Sequence, residues 1–181
     1  MTDTPKFPPM SGAGSFVHGG DEAPACRMQD ILWIMLADAE QTGGRWSVME
    51  QLLPEGSGPP HKHLWSDETF CILDGTITHP IGDEIRTPGK GAFVNVARNT
   101  RHAFRGDSDT ARSLNGGTPA SMGAMVAELG RRTDRRTLPP PGPPATGGGM
   151  PEGLLTRYGL TWLAEPDPLS PRVHRGENDH G

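Results

Sequence analysis

Between residues 30 and 106 every apolar stretch is short and is closed by Gly, Pro, Asn or Asp. A chain punctuated in this way cannot sustain long helices. Short runs at close intervals, with turn residues between them, specify the strands of an antiparallel sandwich or barrel. The first run, Ile31 to Leu36, leads to Gly43-Gly44, which supplies a hairpin turn into the strand of RWSVMEQLL. PEGSGPPHKHLW, ETFCILDGTITHP and IGDEIRTPGKGAFVNVARNTRHAFRG then continue the meander. With 25 glycines and 19 prolines among 181 residues, and hydrophobic residues at 33%, the core is modest and the connections are many. The length suits one domain.

Other segments pack on this all-β body or trail from it. Residues 1–27, rich in Gly, Pro and Ser without a period, are expected to form a flexible N-terminal arm. Residues 28–130 hold the barrel and one packing helix from Pro119 to Leu129, where Met122, Met125, Val126 and Leu129 share a face and Gly130 is the stop. Residues 131–149 read as a Pro/Gly-rich loop whose arginines are a solvated charge run. In 150–166, Pro151 opens a short helix with Leu154, Leu155 and Tyr158 inside and Gly159 as its stop, and LTWL docks back on the barrel. Residues 167–181 form a tail.

The formal charge of −5 leaves no basic surface to neutralise a phosphate backbone, so nucleic acid is excluded as a partner. No run approaches the length needed to span a bilayer. The opening MTDTPKFPPMSGAGSF has no charged start followed by an apolar core, so the expected location is the cytoplasm, away from membranes. Cys26 and Cys71 lie far apart with no CxxC spacing and are expected to be reduced thiols.

The chemistry concentrates in His61-Lys62-His63-Leu64-Trp65-Ser66-Asp67-Glu68. Two histidines one residue apart on a strand project to the same face, so their imidazoles can share one ion. Glu68 follows across a turn into the next strand, and His102 arrives from a separate strand. Three imidazoles and a carboxylate suit Fe, Mn, Ni, Co, Zn or Cu far better than Ca or Mg. Four protein ligands leave one or two positions for water, dioxygen or substrate. On the competing reading, the histidines are surface strand residues and Glu68 is a solvated charge.

Strand alternation from Glu68 places Phe70 and Ile72 on the ligand side, and from His102 it places Phe104 there, as candidate pocket lining or simply as barrel core. His79 is a candidate base near the pocket, yet it stands toward a turn and reads more readily as a surface residue. Glu50 is an interior acid or base in one register and a solvated group in the next. Cys71 should face away from the ligands as a buried small apolar residue. His18, His174 and His180 read as solvated. The segment from Gly82 to Gly91 is a strand-connecting turn, since its glycines lie too far apart for a phosphate loop.

These residues resemble the two motifs of the cupin superfamily. His61, His63, Glu68 and Gly75 fill the first motif, and Gly91 and His102 match the second. Ala97, Asn99 and Gly106 stand where the family prefers Pro, Gly and Asn, and Gly56 stands one residue nearer His61 than the family's opening glycine. Thr42-Gly43-Gly44, Gly58-Pro59-Pro60-His61, Glu68-Thr69-Phe70 and Arg157-Tyr158-Gly159 are similar to single-domain cupins of the quercetin-dioxygenase-like kind, a likeness spanning residues 30 to 163. The resemblance implies a double-stranded β-helix, a jelly-roll-like barrel with one or two short C-terminal helices, commonly homodimeric. It also implies one divalent ion per chain, iron first, held at one open end by His61, His63, Glu68 and His102, with Glu68 as ligand or base.

The expected activity is oxygenation of an enolic or phenolic small molecule, with dioxygen as a second reactant. The alternatives are a non-redox metal-dependent cyclase, isomerase, decarboxylase or lyase, and a non-catalytic ligand-binding barrel, because one fold carries many chemistries.

Overall fold

The computed structural model describes residues 14–19, 21–138 and 152–163. Residues 1–13 of the expected arm, residues 139–149 of the expected loop, Pro151, the side chain of Leu154, and the tail with His174 and His180 lie outside the described residues. The strands run in chain order as β1 (Ala25–Met28), β2 (Ile31–Ala37), β3 (Ser47–Ser57), β4 (His61–His63), β5 (Asp67–Asp74), β6 (Ile77–Ile81), β7 (Glu84–Arg86), β8 (Phe93–Val96) and β9 (Arg105–Thr118). After them come α1 (Ser121–Leu129), β10 (Arg131–Arg132), α2 (Glu152–Arg157) and β11 (Leu160–Trp162). No helix among the described residues is long and apolar enough to cross a membrane.

The main sheet has the order β10-β1-β2-β3-β9-β5-β8, every pairing antiparallel. Strand β9 carries the sheet around a corner: Arg105 and Gly106 pair with β6, whereas the residues from Arg112 to Thr118 pair with β5. Opposite the corner, β3 bulges so that both Glu55 and Gly56 face Gly106, which bends the ladder toward closure. Gly43 and Gly44 take left-handed φ values of 63° and 77° between β2 and β3, the conformation a tight turn demands and glycine adopts without cost. This is an antiparallel β barrel, as the turn pattern implied, with the jelly-roll-like closure and short C-terminal helix that the resemblance implied.

The register assigns the interior. In one row Met35, Met49, Asn115 and Phe70 lie side by side across four strands; in the next, Trp33, Gln51, Ser113 and Ile72 do. All eight are buried. Trp33, Phe70 and Met49 are among the largest fully buried side chains, each contributing on the order of 2–3 kcal/mol by leaving water. On the outer face of β2, Leu32 and Ile34 pack with Ala23 and Ala25 in a second cluster, so this strand is apolar on both sides. Helix α1 buries Met122, Met125 and Val126, with Leu129 at the margin and Gly130 as cap, and it starts at Ser121 rather than Pro119.

Two segment boundaries need correction. The expected arm of residues 1–27 ends early, because Ala25–Met28 pairs with β2 and its alternate residues bury on both faces. The expected loop of residues 131–149 begins as a strand, because Arg131 and Arg132 pair with Arg27 and Cys26. Cys71 is half-buried rather than buried, since alternation turns it to the outer face opposite Phe93.

Candidate metal centre

Strand β4 holds His61 and His63 on one face, both buried. It is gripped on two sides. His61 and His102 exchange backbone hydrogen bonds, each N–H donating to the other's carbonyl at 2.9 Å. On the other edge β11 pairs with β4, placing Leu160 opposite His63 and Trp162 opposite His61. Glu68 enters from β5, between Val96 on β8 and Gly117 on β9. His102 follows a turn in which the Thr100 N–H donates to the Ala97 carbonyl at 3.1 Å and Asn99 takes φ 63°. Asn is the side chain best suited to that left-handed position after Gly, so the departure from the family motif keeps the turn. Arg98 of the same turn donates from its backbone N–H and its guanidinium to Asp67, next to Glu68, tying the His102 loop to β5.

The four groups converge. One ligand atom from each of His61, His63, Glu68 and His102 lies within 4.8 Å of every other, and all four residues are buried. Glu68 Oε2 stands 2.7 Å from His102 Nε2, 3.1 Å from His63 Nε2 and 3.8 Å from His61 Nε2. The outer nitrogens fix the tautomers. His61 Nδ1 donates to the Pro59 carbonyl and His102 Nδ1 to the Thr100 carbonyl, each at 3.0 Å. A carbonyl only accepts, so each Nδ1 carries a hydrogen; a neutral ring then turns a bare Nε2 lone pair inward, and a protonated ring an Nε2–H. Two lone-pair atoms 2.7 Å apart, His102 Nε2 and Glu68 Oε2, are compatible only with a cation between or beside them, a proton or a metal ion. The donor set therefore fits a divalent ion, and backbone carbonyls orient two of the imidazoles for it.

The electrostatics agree. Burial pushes the His61 ring down to about 4, helped by the neighbouring charge of His102. Burial also works against a charged His102, but its hydrogen bond to Glu68 and the carboxylate charge outweigh that and raise it. Burial alone would raise Glu68; the charge of His63 and the close contacts of the imidazoles, His102 and His63 at hydrogen-bond distance, hold it well below the usual carboxylate range, so it is ionised. Its second oxygen, Oε1, accepts from Asn115 Nδ2 at 2.7 Å.

Around the cluster, Phe104 meets His61 edge-on at 6.2 Å, Phe70 lies 5.5 Å from Phe104, and Ile72 is one strand repeat further along the interior. All three are buried in the core cluster. Glu50 faces outward, where Arg112 donates to its Oε1; Gln51 beside it is the interior residue. The surface expectation for His79 is overturned: it is 0% exposed, its ring 4.8 Å from Phe70, and neither ring nitrogen has a hydrogen-bond partner. His18 is half-buried, with its Nε2 2.7 Å from Gln41 Nε2, rather than freely solvated. Sequence reasoning missed Asn115, Gln51 and Trp162, whose ring packs edge-on at 5.4 Å from His61. The signal for Asn115 lay in the alternation of Ser113 and Asn115 with outward residues on a long strand.

A sequence profile described as the cupin domain matches residues 48–114, the stretch that carries all four convergent residues. No curated protein matches the chain. Solved structures share the fold. A predicted oxalate decarboxylase from Thermotoga maritima aligns with a TM-score of 0.54 at 17% identity, covering 57% of this chain and 99% of its own. An RmlC-like cupin from Shewanella frigidimarina aligns at 0.52 and 13%, covering 59% and 93%. Pac13, a nucleoside dehydratase from Streptomyces, aligns at 0.51 and 15%, covering 66% and 92%. Fold and profile together identify a cupin barrel, its residues 48–114 matching the cupin domain, and the buried cluster inside it could hold a metal ion. In this chain a C-terminal strand, β11, is laid against the histidine strand β4.

Proposed function

We propose that this chain is a metal-dependent enzyme that oxygenates a small enolic or phenolic molecule in the mouth of its barrel. The convergence of three imidazoles on one buried, ionised carboxylate carries this reading. His61, His63, Glu68 and His102 would hold one divalent transition ion, iron first, with Mn, Ni, Co, Zn or Cu able to take the same donors. Such an ion supplies Lewis acidity and, if redox-active, a site for dioxygen. The rest of the work falls to the chain. Asn115 fixes the carboxylate, the carbonyls of Pro59 and Thr100 fix two rings, and Phe70, Phe104 and Ile72 form an apolar wall that strengthens polar contacts made inside it. Metal analysis of protein purified without an affinity tag, together with oxygen uptake over a panel of enols and phenols, tests the reading. A full equivalent of metal and substrate-dependent oxygen uptake are expected, His63→Ala should lose the metal, and turnover at an undiminished rate without oxygen overturns oxygenation.

The buried His79 favours a second reading, in which the same ion acts only as a Lewis acid and His79 moves a proton in an isomerisation, dehydration or decarboxylation. Anaerobic turnover that depends on His79 would select it.

A further inference from the structure

Along β5, Phe70 stands two residues beyond Glu68, one strand repeat or roughly 7 Å deeper into the barrel. His79, on β6, covers the Phe70 ring at 4.8 Å from the facing wall. At the same depth Asn115 is the cross-strand neighbour of Phe70. Both polar side chains are completely buried. Asn115 spends its amide N–H on Glu68 and leaves Oδ1 without a partner; His79 leaves both Nδ1 and Nε2 without one. Burying hydrogen-bonding atoms without partners costs on the order of 1–3 kcal/mol for each group, so native barrels keep them where a ligand or water completes them. Ser113 donates to Gln51 in the next row, and Ser47 Oγ and Gln51 Nε2 are also left without partners, but among the described buried histidines only His79 has neither ring nitrogen engaged.

We propose that His79 and Asn115 Oδ1 form a polar subsite that binds the second oxygen of a hydroxycarbonyl substrate, an α- or β-hydroxy ketone or aldehyde, whose first oxygen faces the four-residue cluster. The inference rests on the metal-site reading above and adds the substrate class to it. A carboxamide oxygen only accepts, so Asn115 calls for a hydroxyl. A neutral imidazole both donates and accepts, so His79 can serve a carbonyl or a hydroxyl. Burial pushes the ring down to about 4, with the Glu68 carboxylate only partly opposing it, which keeps His79 neutral near pH 7. Asn115 Nδ2 reaches Glu68 Oε1 at 2.7 Å, so the subsite lies within one strand repeat of Glu68. After a metal–oxygen bond of about 2 Å and a hydrogen bond of about 3 Å, the span that remains suits oxygens on adjacent or next-adjacent carbons. A molecule with a single oxygen would leave the subsite unpaired.

The test uses full-length protein labelled with [15N]histidine and loaded with Zn(II), which is redox-silent, after its metal content has been measured. Acetoin and 4-hydroxy-2-butanone are titrated against 2-butanone while the ring nitrogens are followed by NMR. The two hydroxycarbonyls should move the His79 nitrogens saturably and 2-butanone should not. His79→Phe should weaken hydroxycarbonyl binding about tenfold without loss of zinc, and His79→Gln should recover part of it. Stationary His79 nitrogens across the panel overturn the inference, with no need for any variant to fold. Equal binding of the hydroxycarbonyls and 2-butanone also overturns it. Protein that retains no zinc fails the metal reading instead, so the two failures are distinguishable.

Discussion

At the scale of single residues, the site depends on groups that never touch an ion. Asn115 fixes one oxygen of Glu68 so that the other faces the imidazoles. Asn115→Leu keeps the volume but removes that donor, leaving Oε1 unpaired in the barrel. Zinc affinity, measured by competition with a chromophoric chelator, should fall about 10–100-fold with the fold intact. Unchanged affinity would show that β5 alone orients the carboxylate. His79 makes a different prediction, for stability. Its ring titrates near 4 when folded, against 6.5 in an open chain. The unfolded chain therefore takes up a proton below about pH 6.5 that the native ring refuses, so this contribution is complete above that pH and is lost as pH falls toward 4. On the order of 3 kcal/mol is at stake. Urea unfolding of His79→Phe between pH 6.5 and 4 should show a shallower fall than wild type, with His61 and, toward pH 4, the depressed carboxylate of Glu68 contributing to what remains. The convergence of His61 and His63 was legible because two histidines at strand spacing declare a shared face, and the family motif added Glu68 and His102 to them. His79 was not, since its facing depends on how β6 meets β7 and β9, and Glu50 and Gln51 differ only by a register that long-range pairing sets.

At the scale of elements, His102 comes not from a full strand but from the segment between β8 and β9, joined to β4 and β6 by single bridges, and the bulge of β3 bends the ladder beside it. Turn residues marked where strands end, so the meander and its hairpins were readable; the bulges were not, because a bulge is a mismatch between two strands distant in sequence. The bulge of β3 explains Gly106, where the family prefers Asn. A Cβ there would lie 2.4 Å from the Pro54 carbonyl oxygen, backbone that cannot swing aside. Gly106→Asn, although it restores the family residue, should destabilise the protein by about 2 kcal/mol or more in urea unfolding. Asn99→Gly restores the family residue at a left-handed position and should stay within about 1 kcal/mol of wild type. If the first variant were as stable as wild type, the crowding at the bulge would not be what excludes Asn.

At the scale of the whole molecule, the centre is assembled from segments distant in sequence, Trp162 pairing with His61. His61 and His63 sit on a three-residue strand too short to hold itself, and its two neighbours are the backbone of His102 and the far strand β11. The segment that carries β11 also seats Leu155 in the main core and brings Gly159 so close to Trp65 that a Cβ would meet the indole at 2.7 Å. The sequence announced a docking helix and strand here, but not that the strand would complete the histidine edge, since partner choice is a property of the folded barrel. Removing everything after residue 150 should therefore act at the metal centre. It strips β4 of one edge and His61 of its Trp162 neighbour, so zinc affinity should drop at least tenfold. A bound ion stabilises the native state by about 4 kcal/mol when present at a thousand times its dissociation constant. Zinc should accordingly raise the melting temperature of the truncated chain less than that of the full chain at the same concentration. An equal rise in both would mean that β4 is held by His102 alone and that the C-terminal strand serves only the outer packing.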